Sequence, residues 1–359
     1  DLMSVSRLER YAGCPYAYYV DYVLGAKERD MGEPTPLNTG ILNHKVLEMA
    51  FMKLVQDPSF VKMSEIAQND LSQLMDWVQT SIDQEIENNF DLKSYQQFHI
   101  RCGEIRDLTN RLANTIFGSV NNLRKGTKTS YMEWSFGADG VAPLVFPMTQ
   151  GTLKLRGNID RIDVFEDENM TAQFQVIDYK TSKRIPDVER ILAGLDFQLP
   201  IYLQAWHEIH PEQQPTDAVY IGLNAAREKV SQEASRFNIT GPMSKERAQM
   251  WLIKSYNGQS LVDKIDEFSK KIPITLDDLL TVAQEAAVQR ATALRAGHFD
   301  VHPTRLLNTR GSLQKPPCEY CANKGICRIE NEHWQAIVLK SSDVIHMNTS
   351  CDTEEEDHG

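Results

Sequence analysis

The stretch GNIDRID at residues 157–163 is followed, after a short polar segment, by QVIDYKT at residues 175–181. The polar segment predicts a turn, so the two stretches read as an antiparallel β-hairpin. If this hairpin is symmetric about Asn169, Asp160 lies directly opposite Asp178. Facing like charges destabilise a strand pair unless a cation lies between them, and hard oxygen ligands suit Mg²⁺ or Mn²⁺. Lys180 projects from the same face as Asp178, because strand side chains alternate, so the hairpin predicts a metal site beside a lysine.

The same motifs resemble those of a known family of nucleases. GNIDRID, VIDYKT and the later QLPIY at residues 198–202 resemble the three motifs of RecB-family nucleases, within the PD-(D/E)XK superfamily. The upstream GILNH, which ends at His44, resembles the histidine motif of that family. The opening SVSRLERYAGCPYAYYVDYVLG and the closing CEYCANKGIC are most similar to the C-terminal nuclease domains of AddB-type helicase–nuclease subunits. The resemblance covers about residues 4–330, and the occurrence of all these motifs in order makes it specific.

This resemblance implies an α/β fold, with a restriction-endonuclease-like core on a mixed sheet, decorated by helices and stapled by an iron–sulfur cluster. It implies a Mg²⁺-dependent deoxyribonuclease of the exonuclease type, in a helicase–nuclease complex that processes double-strand breaks for recombinational repair. Single-stranded or unwound DNA is the implied substrate, and an AddA-type helicase–nuclease subunit is the implied partner in a heterodimer. No G-x-x-x-x-G-K-[ST] sequence occurs in the chain, so ATP hydrolysis has to come from elsewhere. The alternative function is a catalytically silent DNA-binding scaffold with an iron–sulfur or zinc site.

The hairpin supplies most of the predicted catalytic residues. Asp160 and Asp178 are the predicted metal ligands, with the backbone carbonyl of Tyr179 as a third ligand. Lys180 is predicted to orient or deprotonate the attacking water, or to offset the charge of a phosphate. Taken without the surrounding motifs, these residues would read as a cross-strand pair of exposed acids and a surface lysine. The resemblance adds His44, as a metal ligand or proton handler.

Other polar residues are predicted near this site. Gln198 and Tyr202 lie one helical turn apart, and the resemblance implies that both face the active site. There, Gln198 would orient the lysine or a phosphate, and Tyr202 would contact the DNA backbone, although packing between helix and sheet explains Tyr202 almost equally well. Glu133 reads either as a residue that supports the site or as an exposed acid on a strand. Glu48 reads as a solvated or supporting group.

Four cysteines form a second candidate site. Cys318, Cys321 and Cys327 form a C-x2-C-x5-C motif, and Cys14 lies far upstream, just after a predicted helix. Spacing alone leaves two possibilities open, a [4Fe–4S] cluster with four thiolate ligands and a structural zinc site. The resemblance implies that these four cysteines bind the iron–sulfur cluster. Either centre would close a very long loop and so restrain the unfolded chain.

The composition is ordinary for a soluble globular protein. The chain has 359 residues, of which 41% are hydrophobic and 25% are charged. It contains neither an apolar run of membrane-span length nor a signal peptide, which predicts a cytoplasmic protein without a membrane partner. Because the chain begins at Asp1 rather than at methionine, we expect it to be a fragment of a longer protein.

The charge balance sets a limit on how DNA is bound. The net charge of −12 argues against indiscriminate binding to nucleic acids, although an acidic tail at residues 352–357 contributes five of the negative charges. Arg161 is predicted to form a structural ion pair with Asp163. Basic residues recur near the predicted metal site and predict a local positive groove. They are Lys154, Arg156, Arg161, Lys180, Lys183 and Arg184.

The chain is predicted to divide into six segments. They are an N-terminal helix with the first cysteine (1–30), a helical subdomain with the histidine motif (31–129), the nuclease core (130–230), a helical extension (231–300), a cysteine-rich cluster loop (301–335) and a disordered acidic tail (336–359). Two local details are also predicted. Ser6 and Glu9 form a capping box at the start of the first helix, and residues 187–209 form a single helix.

Overall fold

The computed structural model describes the chain in separate stretches. They are residues 2–26, 36–56, 72–88, 127–166, 171–180, 184–222, 258–315, 317–329 and 335–338. No helix in these stretches is both long enough and apolar enough to cross a membrane. The division of the chain into six segments stays a prediction.

A mixed β-sheet forms the centre of the described structure, as the sequence predicts. Its strands are β1 (Leu2–Ser4), β2 (Thr127–Phe136), β3 (Leu144–Pro147), β4 (Thr152–Glu166), β5 (Ala172–Lys180), β6 (Gln214–Gly222) and β7 (Gly258–Ser260). The long strand β4 pairs near its start with β1 in parallel and with β3 antiparallel, and further along with β2 and β5, both antiparallel. β5 continues the sheet in parallel with β6, and β6 pairs with the antiparallel β7. Strand β4 therefore lies between the two other strands that carry candidate site residues.

The central hairpin has the predicted register. Arg161 in β4 faces Ile177 in β5, so the pairing is symmetric about position 169. The next pair in this register is Asp160 with Asp178, and both side chains are buried. The polar residues 167–170, predicted to form the turn, lie outside the described residues.

Helices pack around the sheet. Those described are α1 (Val5–Gly13), α2 (Pro15–Tyr18), α3 (Pro36–Gln56), α4 (Ser72–Asn88), α5 (Val188–Leu192), α6 (Gln198–Ile209), α7 (Leu261–Ser269), α8 (Leu276–Arg295) and α9 (Lys324–Cys327). α6 lies against β5 and β6, and its Trp206 is fully buried beside the rings of Tyr131, Trp134 and Phe174. Full burial of a large apolar side chain stabilises a fold by roughly 3 kcal/mol, so this contact fixes α6 on the sheet.

Residues 187–209 do not form the single helix that the sequence predicts. α5 ends at Leu192 and α6 begins at Gln198, with a turn between them. Gly194 in this turn has a φ of +63°, and a Cβ at this position would lie 2.8 Å from the Cβ of Ala286. Glycine adopts this left-handed conformation without steric penalty, so the turn depends on it. Because of the break, Gln198 is the first residue of a helix.

The N-terminal helix is capped by a different residue from the one predicted. Ser4 is the N-cap of α1, and its Oγ accepts a hydrogen bond of 3.3 Å from the backbone N–H of Arg7. The prediction of a capping box formed by Ser6 and Glu9 is therefore wrong, because the short strand β1 ends directly at Ser4. α1 ends before Cys14, whose extended backbone separates it from α2.

A second, small sheet lies near the C-terminal end of the described chain. Its strands, β8 (Thr304–Leu307) and β9 (Gln335–Val338), pair in parallel. Residues 336–338 of the predicted tail therefore belong to a strand that pairs with β8. Residues 339–359 lie outside the described residues.

Candidate metal centre

Three acidic residues lie side by side on adjacent strands. In the register of β2 and β4, the pairs on either side place Glu133 opposite Asp160. In the register of β4 and β5, Asp160 lies opposite Asp178. The row Glu133–Asp160–Asp178 therefore crosses three strands. Carboxylates placed in this way repel one another, and a bound cation relieves the repulsion.

The backbone of Glu133 is strained. Its φ of +47° lies in the left-handed region, which costs a residue with a side chain about 1–2 kcal/mol. The carboxylate accepts a hydrogen bond from Asn158 Nδ2, and Asn158 Oδ1 accepts one of 2.9 Å from Ser135. Backbone strain of this kind is typical of functional sites. The sequence left the role of Glu133 open, because the signal that places it in the row is the pairing of β2 with β4.

His44 reaches this row from helix α3. Its Nδ1 lies 3.2 Å from Oδ1 of Asp160 and 3.7 Å from Oε1 of Glu133. Its Nε2 lies 3.1 Å from the backbone oxygen of Tyr179. One ligand atom each from His44, Glu133 and Asp160 can be chosen so that all three lie within 4.8 Å of one another. The predicted residues His44, Asp160 and Tyr179 thus meet, and Glu133 joins them.

Asp178 lies at the other side of the row, where it contacts Lys180 and Gln198. Lys180 Nζ is 2.6 Å from Asp178 Oδ2 and donates a hydrogen bond of 2.9 Å to Gln198 Oε1. Gln198 Nε2 donates a hydrogen bond of 2.5 Å to Asp178 Oδ1. The amide of Gln198 therefore bridges the carboxylate and the ammonium group, and it holds both in a fixed relative position.

The electrostatics of the site reflect this crowding of carboxylates. Burial, followed by the charge of Asp160, raises the pKa of Asp178 to about 7. Burial lowers the pKa of His44, but its hydrogen bonds with Asp160 and Glu133 outweigh burial and raise the pKa to about 10. Both shifts share a contribution from the negative charge of the neighbouring carboxylates, which disfavours a further carboxylate and favours a cation.

These residues line an open groove of about 750 Å³. Tyr202 is also on the groove wall, but it is only 6% exposed and packs edge to face against Phe136. Its hydroxyl lies 3.3 Å from Gln198 Nε2, so Tyr202 contributes to packing and also supports the amide. Glu48 forms an ion pair of 2.7 Å with Lys45 at the rim of the groove.

The chain matches the PD-(D/E)XK nuclease superfamily over residues 2–328. It belongs to that superfamily. It is 26% identical to the B-type subunit of the ATP-dependent helicase/deoxyribonuclease of Caldanaerobacter subterraneus subsp. tengcongensis, an alignment that covers 91% of this chain and 29% of that protein. The proteins of the same name from Carboxydothermus hydrogenoformans and Thermoanaerobacter sp. are 27% and 31% identical, over 94% and 61% of this chain and 32% and 19% of their own lengths. This nuclease-superfamily chain therefore spans less than a third of the length of these relatives.

One basic residue of the predicted positive groove lies elsewhere in the nuclease fold. Arg161 is 1% exposed, and its Nη2 lies 2.5 Å from Oδ2 of Asp163 in the protein interior. Alternation along β4 turns its side chain away from the face that carries Asp160. The predicted structural ion pair is confirmed, and the prediction that Arg161 helps to form a DNA-binding groove is wrong.

The other basic residues have different surroundings. Lys154 and Arg156 are exposed on β4. Arg184 forms an ion pair of 2.9 Å with Asp196, which partly neutralises it. Lys183 lies outside the described residues.

The four predicted cysteines of the second site line one cavity, although they come from opposite ends of the described chain. Cys14 and Cys318 are buried, and Cys321 and Cys327 are partly exposed. Arg10 Nη2 donates a hydrogen bond of 3.7 Å to the sulfur of Cys321. The cysteines at positions 102 and 351 lie outside the described residues.

A polar network joins the two ends of the chain beside this cavity. Asp21 accepts a hydrogen bond of 2.7 Å from Arg10 Nε and one of 2.6 Å from Asn323 Nδ2. Asn323 lies between two of the cysteines in the sequence, so the network holds the cysteine loop against the N-terminal helices. Burial raises the pKa of the Cys14 thiol, and nearby backbone N–H groups oppose that shift.

Proposed function

We propose that this chain hydrolyses DNA phosphodiester bonds with a divalent metal ion and is the nuclease part of a helicase–nuclease complex. The observation that carries the proposal is the meeting of Glu133, Asp160, Asp178, His44 and Lys180 in one open groove. Three carboxylates with one imidazole form an oxygen-rich donor set, which suits Mg²⁺ or Mn²⁺.

Each residue has a distinct role in this proposal. Asp160, Asp178, the carbonyl of Tyr179 and His44 hold the metal, and Glu133 adds a further oxygen ligand. When bound, Mg²⁺ lowers the pKa of a coordinated water and neutralises phosphate charge.

The residues beside the metal ligands act on the water and the phosphate. Lys180 orients the attacking water and offsets negative charge on the phosphate, because its ammonium group is held beside Asp178. Gln198 keeps that ammonium in place, and Tyr202 supports Gln198.

The substrate and the partner follow from the groove and from the names of the relatives. An open groove admits a single strand of DNA whose phosphates can approach the acidic row only together with a cation. The relatives are named as subunits of an ATP-dependent helicase/deoxyribonuclease, which favours an AddA-type helicase–nuclease partner that delivers unwound DNA. In that setting the chain acts as an exonuclease at double-strand breaks during recombinational repair.

Cleavage of labelled single-stranded DNA tests this proposal. The wild-type protein is incubated with linear or circular strands in Mg²⁺, Mn²⁺ or EDTA, and we expect metal-dependent digestion of the linear strand. Asp178→Asn removes one ligand charge at constant shape and should abolish cleavage. Asp139→Asn is the matched control, because Asp139 is exposed in a turn with a φ of +53°, which asparagine tolerates.

The same experiment separates the alternatives. Equal cleavage by the wild type and Asp178→Asn would contradict the assignment of this site. Digestion of circular strands would contradict the exonuclease type. DNA binding without cleavage, in either metal, would favour the catalytically silent scaffold.

We further propose that Cys14, Cys318, Cys321 and Cys327 hold a [4Fe–4S] cluster that staples the two ends of the nuclease together. Four thiolates are the ligand set of such clusters, and all four cysteines line one cavity. A structural zinc site also takes four thiolate ligands, so the metal content of the protein has to distinguish the two centres.

Metal analysis and visible absorbance test the cluster. We expect a brown protein with about four irons per chain, and loss of the visible absorbance on reduction or in Cys14→Ser. A colourless protein that contains zinc would contradict the cluster and leave the nuclease proposal standing.

A further inference from the structure

Helix α6 receives its N-terminal cap from a distant part of the chain. Its N-cap residue, Phe197, has no side chain that can accept a hydrogen bond, so the first N–H groups of the helix need another acceptor. Glu9 Oε1 accepts hydrogen bonds of 2.8 Å from the N–H of Phe197 and of 3.0 Å from the N–H of Gln198. The carboxylate also lies at the positive end of the helix dipole.

The capped residue is the one that organises the catalytic groups. The backbone of Gln198 receives the cap, and its side chain joins Asp178 to Lys180 with hydrogen bonds of 2.5 Å and 2.9 Å. The turn before α6 contains Gly194 in a left-handed conformation and separates Gln198 from helix α5. A rotation of the first turn of α6 would move the side-chain amide of Gln198 away from Lys180.

Glu9 is also directly connected to the cysteine site. It lies on α1, which ends next to Cys14. The next residue on the same helix, Arg10, donates hydrogen bonds to Cys321 and to Asp21. Adjacent residues of one short helix therefore contact the first turn of α6 on one side and the cysteine cavity on the other.

We propose that Glu9 is a positioning residue for hydrolysis, which acts through Gln198 to hold Lys180 against Asp178 and transmits the position of the cysteine-bearing helix to the catalytic groove. The inference deepens the proposed nuclease function and rests on it. Glu9 binds the N–H groups of Phe197 and Gln198, and in this proposal it reaches Lys180 through Gln198, so its effect on cleavage depends on the presence of Gln198.

A double-mutant cycle in the full chain with its cysteine centre loaded tests this dependence. Glu9→Ala removes the acceptor and should lower kcat by about tenfold or more, with little change in KM, since small misplacements of catalytic groups have effects of this size. Glu9→Gln keeps a carbonyl oxygen for both N–H groups and should restore most of kcat. In the Gln198→Ala background, Glu9→Ala should lower kcat by less than about twofold, because the side chain that Glu9 positions is already absent.

Hydrogen exchange at the first turn of α6 supplies a readout that is independent of cleavage. The amides of Phe197 and Gln198 should exchange faster in Glu9→Ala and at the wild-type rate in Glu9→Gln. Equal losses of kcat from Glu9→Ala in both backgrounds, or unchanged exchange, would overturn the proposal, because the residue would then act only through general stability.

An inactive wild type would overturn the proposed function of the groove, and with it the role of Glu9 in hydrolysis. Hydrogen exchange would still decide whether Glu9 holds the Gln198 turn, so the two failures are distinguishable.

Discussion

Nδ1 of His44 lies 3.2 Å from Oδ1 of Asp160, which brings an imidazole nitrogen from a helix into a row of carboxylates on the sheet. Neither residue alone indicates a metal site, since single histidines and single aspartates have many structural roles. Together with Glu133 they offer three donor atoms within 4.8 Å of one another, which is close enough to share one ion. The consequences of this arrangement can be tested one residue at a time.

Glu133→Gln should weaken metal binding. Its carboxylate is the third donor of the group, and removal of a supporting charge at a metal site typically lowers affinity about 10–100-fold. Titration of the protein with Mn²⁺ by calorimetry measures the change. Glu48→Gln is the matched control, because Glu48 pairs with Lys45 at the rim of the groove. The Mn²⁺ affinity of this variant should stay within about twofold of wild type. If Glu133→Gln bound Mn²⁺ as tightly as the wild type, Glu133 would not be a metal ligand.

Lys180→Gln should lower kcat and leave KM nearly unchanged. The ammonium group is held at Asp178 and Gln198. In the proposed function it acts on the water or the phosphate, and catalytic groups of this kind raise the rate about 10²–10⁴-fold. Single-turnover cleavage with saturating Mg²⁺ measures the loss. Lys264→Gln, whose lysine pairs with Glu267 on α7, should cleave at the wild-type rate. A rise in KM with unchanged kcat would assign Lys180 to DNA binding instead.

Gly157→Ala should destabilise the protein and disturb the site. An added Cβ would lie 2.8 Å from the ring of Phe136 and 2.9 Å from that of Tyr202, and overpacking of this kind costs about 1–3 kcal/mol. Thermal unfolding measures the loss of stability. Gly13→Ala, where a Cβ meets no atom within 4 Å, is the control and should be neutral or stabilising. Equal melting temperatures for the two variants would contradict the close packing at Gly157.

Asp217→Asn should change the pH dependence of stability. Burial raises the pKa of Asp217 from 3.8 to about 6, so the folded protein holds this proton at pH values where the unfolded chain has lost it. The free energy of unfolding therefore falls as pH rises from about 4 to about 6, by on the order of 3 kcal/mol for this residue.

The asparagine variant isolates this contribution. Its side-chain oxygen can still accept the hydrogen bonds from the N–H groups of Ala218 and Val262, but it has no charge to bury. Urea unfolding at a series of pH values should show wild type losing stability relative to the variant within that window. Parallel profiles would mean that Asp217 titrates in the folded protein as it does in the unfolded chain.

The motifs of the hairpin were sufficient to predict its register and the position of Asp160 opposite Asp178. The reason is physical: side chains alternate along a strand, and a short turn fixes which residues face each other. The same local logic failed for Glu9, because Ser6 and Glu9 have capping-box spacing whereas Ser4 is the actual cap. It also failed for residues 187–209, because helical periodicity continued across Gly194.

Glu133 shows a different limit of sequence-based prediction. Its strand could be recognised, but its role depended on which strand it pairs with, and that partner is not adjacent in the sequence. Arg161 shows the converse, since the sequence allowed both a structural ion pair with Asp163 and a place in the positive groove, and burial in the interior leaves only the ion pair.

Local sequence determined the elements and motifs of this protein: the central hairpin, the acidic and basic side chains on its faces, and the C-x2-C-x5-C motif. The tertiary structure decided how groups from distant segments contact that hairpin. His44 and Glu133 join the carboxylates, and Glu9 caps the helix of Gln198, because packing brings together segments that are far apart along the chain. Such contacts depend on the burial of whole helices and strands, and no short window of sequence contains that information.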